Sequence, residues 1–154
     1  YPTRRSSDLG QVMLKIKQQI GRAKREYMQE YVLKNDDFLV SQTDEKGKIL
    51  FANDDFCKVA GYTIDELVGK PHSIVRHPDM PKAAFKALWD SAKRGEVWTG
   101  YVKNKTKDGG FYWVYATVYP MKDPHTNEIR YMSCRRKPSR EEIEDAEKLY
   151  KTLR

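Results

Sequence analysis

The stretch Pro71-His72-Ser73-Ile74-Val75-Arg76-His77-Pro78-Asp79-Met80-Pro81 limits what this chain can fold into more than any other. Its prolines fix φ repeatedly and remove backbone donors, so no long helix or strand can run through it. Ile74, Val75 and Met80 nonetheless call for burial, and they are interleaved with His72, Arg76, His77 and Asp79. A loop that turns its apolar side chains inward carries polar ones toward the same interior, where each needs a partner. Taken alone, the segment reads equally as the wall of a pocket or as a proline-rich connector with solvated charges. Its flanks decide between the two.

Before the segment, Phe38–Thr43 reads as a strand, Asp44–Gly47 as a turn and Lys48–Ala52 as the hairpin partner. Asn53 is a candidate N-cap for a short helix carrying Phe56, Val59 and Ala60 and ended by Gly61. Thr63 and Glu66 form a capping box closed at Gly69. After the segment, Pro81 opens a helix to about Lys93, with Ala84, Phe85, Leu88 and Trp89 on its inner face. Val97–Asn104 alternates, Asp108-Gly109-Gly110 is a hairpin turn, and Phe111–Tyr119 is the strongest strand. Glu128–Arg135 is the last strand. Arg140–Leu153 is a helix with Ile143, Ala146, Tyr150 and Leu153 on one stripe. The order predicts an α+β domain: a five-stranded antiparallel sheet, short helices on one face and a helix at each end.

The N-terminal part has two readings to test. Tyr1–Leu9 lacks any hydrophobic period, resembles translated sequencing-adapter sequence, and is set aside as non-native. From Gln11 to about Lys34, Met13, Ile16, Ile20, Ala23 and Tyr27 step by helical spacing. The expected division is therefore 1–9 non-native, 10–35 an N-terminal helix, 36–137 the domain and 138–154 a C-terminal helix. The helical seam is too short for an independent coiled coil and is expected to pack on its own domain or on a second copy.

Composition excludes several classes. The 154 residues suffice for one full core, and 12% aromatics argue against disorder. The net charge is +7, but basic and acidic residues interleave, which argues against a nucleic-acid surface. The longest charge-free run, Gly109–Met121, falls short of the roughly 20 residues of a membrane helix. Cys57 and Cys134 form neither a metal spacing nor a disulfide framework, so a cytoplasmic setting is expected. No paired carboxylates, nucleophile–base set or nicotinamide fingerprint points to an enzyme.

The stretches Phe51–Phe56, Gly61-Tyr62 and Glu66–Gly69 resemble the general PAS domain pattern. Val75–Pro81, Trp98-Thr99-Gly100, Val102-Lys103-Asn104, Phe111–Val114, Tyr131-Met132-Ser133 and Arg136–Ser139 more specifically resemble the bacterial aerotaxis and energy-taxis receptors. That resemblance implies a non-covalently held FAD and a redox or oxygen signal passed to a chemoreceptor-type partner. The chain departs from the family pattern in carrying no membrane span, long signalling coiled coil or kinase-type motif, so the output is expected from a separate receptor or from the rest of a longer chain. The resemblance also implies Arg76, His77 and Asp79 as needed for holding FAD, with Asn53, Trp98 and Asn104 as further pocket positions and His72 counted beside them. The residue types suit the task. Amides offer a flavin both donors and acceptors, Trp98 offers a flat face, and Arg76 offers charge-assisted bonds that Asp79 can orient.

Blander readings stand beside these. Asn53 is equally an N-cap; Trp98 is equally sheet core, as Trp89 and Trp113 are expected to be; His72 and His77 are equally hydrogen-bonded loop histidines. Rival functions are a haem-binding PAS gas sensor with His72 or His77 as axial ligand, a cysteine-adduct light sensor, and a ligand-free PAS dimerisation module.

Overall fold

The computed structural model describes residues 8–19 and 29–153. It forms two compact units, Tyr1–Glu30 and Tyr31–Arg154. In the first, helix α1 covers 8–19 and carries Leu9, Val12, Met13 and Ile16 exposed. Ile20, Ala23 and Tyr27 of the expected seam lie outside the described residues, as does most of the adapter-like segment.

The helix expected to run to about Lys34 does not do so: residues 29–34 are non-helical. Tertiary contacts override propensity here. Leu33 is buried at 2% exposure, and the Tyr31 N–H donates to the Phe111 carbonyl (2.8 Å). The Asp37 carboxylate then accepts from both the Tyr31 hydroxyl and the Lys34 N–H. A helix cannot satisfy those partners and the core at once.

The second unit is a five-stranded antiparallel sheet ordered β2-β1-β5-β4-β3. Its strands are β1 (Leu39–Thr43), β2 (Ile49–Ala52), β3 (Trp98–Lys105), β4 (Phe111–Lys122) and β5 (Ile129–Arg136). Between β2 and β3 lie α2 (Asp54–Ala60), α3 (Ile64–Leu67), a 3-10 turn at His72–Val75 and α4 (Lys82–Lys93). Helix α5 (Arg140–Leu153) closes the chain. The α+β expectation, with its five antiparallel strands and short helices, is met. Local chemistry explains the helix ends. Asn53 caps α2, and Gly61 ends it at φ +80°, a left-handed conformation that only glycine adopts cheaply. Thr63 and Glu66 close the capping box of α3.

Alternation sorts the strand residues onto two faces. Leu39, Ile49, Tyr112 and Val114 turn inward and are essentially inaccessible, with Phe56, Leu67 and Val75 packed over them. Burial of each such side chain is worth about 1.5–3 kcal/mol. On the other face α5 covers Trp113, whose ring stacks on Tyr150 with centroids 6.3 Å apart. Ile143, Ala146 and Tyr150 are buried beneath α5, whereas Leu153 of the expected stripe is exposed.

Candidate functional site

Between the inner face of the sheet and α4 lies an open-mouthed cavity. Its walls are apolar: Phe85, Leu88 and Trp89 from α4, and Val102, Ala116 and Val118 from the sheet. Into this slot project Thr43, His72, Arg76, Asn104, Ser133 and Arg135. Two local causes bring them there. Thr43, Asn104, Ser133 and Arg135 sit at inward positions of their strands, while the 3-10 turn brings His72 over the sheet and Arg76 just past its end.

The polar groups divide into a satisfied set and an orphaned set. Arg135 donates to Ser41 Oγ (3.1 Å) and from Nη2 to His72 Nε2 (2.9 Å), and Ser41 Oγ lies 3.1 Å from the same nitrogen. Accepting from a guanidinium requires His72 Nε2 to be unprotonated. Burial, reinforced by the Arg135 charge, pushes the His72 pKa down to about 3, so the ring is neutral at physiological pH. Burial also lowers Arg135, to about 10, which leaves it charged. Among the described residues no carboxylate pairs with Arg135; the Phe56 ring lies 5.3 Å from its guanidinium. Arg76 lies over the Phe85 ring at 3.6 Å, and burial lowers its pKa. Six buried side-chain atoms lack a hydrogen-bond partner by geometry among the described residues: Thr43 Oγ1, Arg76 Nε, Asn104 Nδ2 and Ser133 Oγ at the cavity, the Tyr112 hydroxyl, close enough to the Asn104 amide to feel it, and Trp113 Nε1 on the other face. The four cavity atoms form the orphaned set. All four residues line the cavity. Native interiors rarely leave such atoms unpaired, so this cluster can take a ligand with polar groups against apolar walls.

The residues expected from sequence separate into groups. His72, Arg76 and Asn104 meet at the cavity, and Arg76 and Asn104 form an isolated β-bridge. Asn53 lies elsewhere, with its amide consumed locally: Oδ1 accepts from the Val40 and Phe56 N–H groups (3.1 and 3.0 Å) and Nδ2 donates to the Phe38 carbonyl. Trp98 does not line the cavity. Its ring lies along its own strand over Gly100, where an added Cβ would come within 2.5 Å of it. The aromatic wall is instead Trp89, set edge-on to Tyr131 (5.3 Å, 84°). His77 and Asp79 face β3: Asp79 Oδ2 accepts from Lys103 Nζ (2.9 Å), and His77 Nδ1 accepts from the Asp79 N–H (3.0 Å). Sequence reasoning missed Thr43, Ser133 and Arg135. A signal existed in Tyr131, Ser133 and Arg135, whose spacing of two puts them on one face of a strand that otherwise buries.

The fold and cavity define a class, an α+β domain with a pocket between its sheet and the helices packed on it. A family model described as the PAS fold matches residues 49–135, and the chain belongs to that family. It is similar to the aerotaxis receptor of Escherichia coli, with 50% identity over 122 residues, covering 79% of this chain and 24% of that protein. It is also similar to the biofilm dispersion protein of Pseudomonas aeruginosa, at 33% identity over 52% of this chain and 19% of that protein. The chain thus spans about a quarter or less of the length of these curated relatives. A solved structure from work on a flavin analogue and the light-oxygen-voltage domain mechanism shares the fold. The TM-score is 0.61 at 22% identity, covering 76% of this chain and 87% of that one. Among the described residues no helix is long and apolar enough to cross a membrane, and no His/Cys/Asp/Glu cluster could hold a metal ion.

Proposed function

We propose that this domain holds FAD in the cavity and serves as a redox sensor, reporting oxygen or energy status to a chemoreceptor-type signalling module. The carrying observation is the set of orphaned polar atoms inside apolar walls, with two guanidiniums that have no carboxylate partner among the described residues. An isoalloxazine ring presents carbonyl oxygens and ring nitrogens as acceptors and one N–H donor, on a flat apolar body. Arg76 Nε and Asn104 Nδ2 supply donors, Thr43 and Ser133 hydroxyls supply both kinds of partner, and Trp89 and Tyr131 supply the walls. A bound flavin contributes reversible uptake of electrons and protons. The chain's own part is to orient the ring, exclude water from it and present charge beside it. No glycine-rich phosphate loop is present, so the dinucleotide is not held in the Rossmann manner. We place the domain in the cytoplasm and read its partner as a helical signalling module, in the same chain or another.

The rival ligands meet specific obstacles. His72 Nε2 is already engaged by Arg135 and Ser41, and His77 faces away from the cavity, which disfavours an axial haem ligand. Cys57 is on α2, and Cys134 alternates with Ser133 and Arg135 onto the other face of β5, which disfavours a cysteine adduct. The test is the absorption spectrum of protein purified from cells, followed by chromatography of the released chromophore. Flavin bands and released FAD are expected. A Soret band, or a colourless protein that takes up no added FAD, overturns the reading.

A further inference from the structure

We propose that Lys103 is a positioning residue for this pocket. Its ammonium holds Asp79, and the clasp so formed keeps the 76–81 segment on β3 with Arg76 aimed into the cavity. Asp79 and His77 then serve the ligand through the clasp and not by touching it. The inference rests on the flavin reading for its ligand, but the geometry of the clasp stands independently.

β3 is an edge strand, and such a strand has backbone groups that face away from its single neighbour. Those of Lys103 are taken up by the segment. The Lys103 carbonyl accepts from the His77 N–H (3.4 Å), and the Lys103 N–H points at Met80 Sδ (3.3 Å). The Lys103 side chain adds the ion pair to Asp79 at 2.9 Å and lies over the Phe111 ring at 4.6 Å. His77 meets the same ring edge-on at 6.1 Å, and its Nδ1 accepts from the Asp79 N–H. His77, Asp79 and Met80 are thus each tied to one residue. Prolines at 78 and 81 remove two backbone donors, so a side-chain tie carries weight that backbone bonds cannot. What the clasp controls lies on either side of it. Arg76 precedes the segment, and α4, which supplies Phe85, Leu88 and Trp89 to the cavity wall, follows it. The Lys103 side chain is only 14% exposed, so the pair is shielded on one partner and open to water on the other.

The experiment is a double-mutant cycle in the full chain, with FAD titrated into the ligand-free protein. Lys103→Met and Asp79→Asn each weaken FAD binding by about five-fold, as an ion pair of this exposure allows. The double variant binds no worse than either single one, because both remove the same contact. Lys103→Arg keeps the pair and stays within about two-fold of the parent. Hydrogen exchange at the His77, Asp79 and Met80 amides speeds up in both single variants without ligand, while the midpoint potential of bound FAD stays put. A double variant that loses the product of the two single effects overturns the clasp. A shifted potential in Asp79→Asn alone does the same, since it marks direct contact with the ring. If the parent chain takes up no FAD, the flavin reading fails, and exchange in the ligand-free chains still decides the clasp. Thermal midpoints identify a variant that does not fold; if Lys103→Met is one, Lys103→Arg and Asp79→Asn carry the comparison.

Discussion

His72 and His77 belong to one proline-rich segment and end in opposite environments. His72 keeps part of its surface exposed, but its ring is packed deeply enough to stay neutral and is bonded through Nε2 to a buried guanidinium. His77 is partly open and sits between a strand edge and an aromatic ring. The first half of the segment supplies Arg76, whose Nε has no partner among the described residues, beside the bonded His72; in the second half Lys103 takes up the Asp79 carboxylate. Burying an unpaired cation costs stability that a scaffold has no reason to accept, whereas a satisfied clasp costs nothing comparable. Under the proposed flavin reading, the contrast separates residues that meet the ligand from residues that hold them in place.

The largest expected effect concerns Arg135, the β5 guanidinium to which His72 of the first half is bonded. Arg135→Met removes the buried cation and should weaken FAD binding by about 10- to 100-fold, as the loss of charged hydrogen bonds predicts. The thermal midpoint of the ligand-free protein should not fall, because an uncompensated charge leaves the core with it. A large drop in the midpoint together with unchanged FAD binding would make Arg135 a structural residue and undo the contrast.

Next in size is the pH response of the first half. His72 has a folded pKa near 3 against an ordinary value of 6.5, so the unfolded chain binds the proton more readily between those values. Its contribution is complete above pH 6.5 and is lost progressively as pH falls toward 3. Urea unfolding of the ligand-free protein should show about 2 kcal/mol less stability at pH 5 than at pH 7 from this residue, a difference that His72→Gln removes. An unchanged slope in the variant would show that His72 is not the buried neutral ring.

The smallest effect concerns the second half. Asp79 is half exposed, so salt should screen its pair with Lys103. FAD titrations of the parent and of Asp79→Asn should therefore converge as ionic strength rises. A gap that persists at high salt would place Asp79 in a shielded contact with the ligand and merge the two halves into one site.

Output offers a further check. The Tyr150 hydroxyl donates to the Tyr101 carbonyl, and the Tyr101 hydroxyl donates to Glu142, so α5 is fastened to β3, the strand that carries Val102 and Asn104 into the cavity. Hydrogen exchange in α5 should differ between protein with oxidised and with reduced flavin. Identical exchange would leave α5 without a part in signalling.

Much of the fold was legible because its causes are local. The capping box at Thr63, the cap at Asn53, the left-handed Gly61 and the period-two strands are each set by residues a few positions apart. Arg76 and Asn104, which line the cavity, were singled out for another reason: the aerotaxis-receptor resemblance named both, and the make-up of the proline-rich segment pointed to Arg76 as well. Trp98, named by the same resemblance and read equally as sheet core, packs against the core and does not line the cavity. The glycine two positions on lets its ring lie along the strand, and the wall it was expected to form is supplied by Trp89 from α4.

What the sequence determined by itself was the order of elements, the face each strand residue takes, and the segment that had to be neither helix nor strand. Only the tertiary structure decided which polar groups meet. Pairing β1 and β4 on either side of β5 sets Ser41 opposite Ser133 and Ala116 opposite Arg135, a register that no local pattern encodes. It likewise decided that 29–34 is not helical, because Leu33 gains more from the core than a last turn of helix returns. Faces follow from the geometry of a single strand. Sites follow from which strands lie side by side, and that is settled by packing across the whole domain.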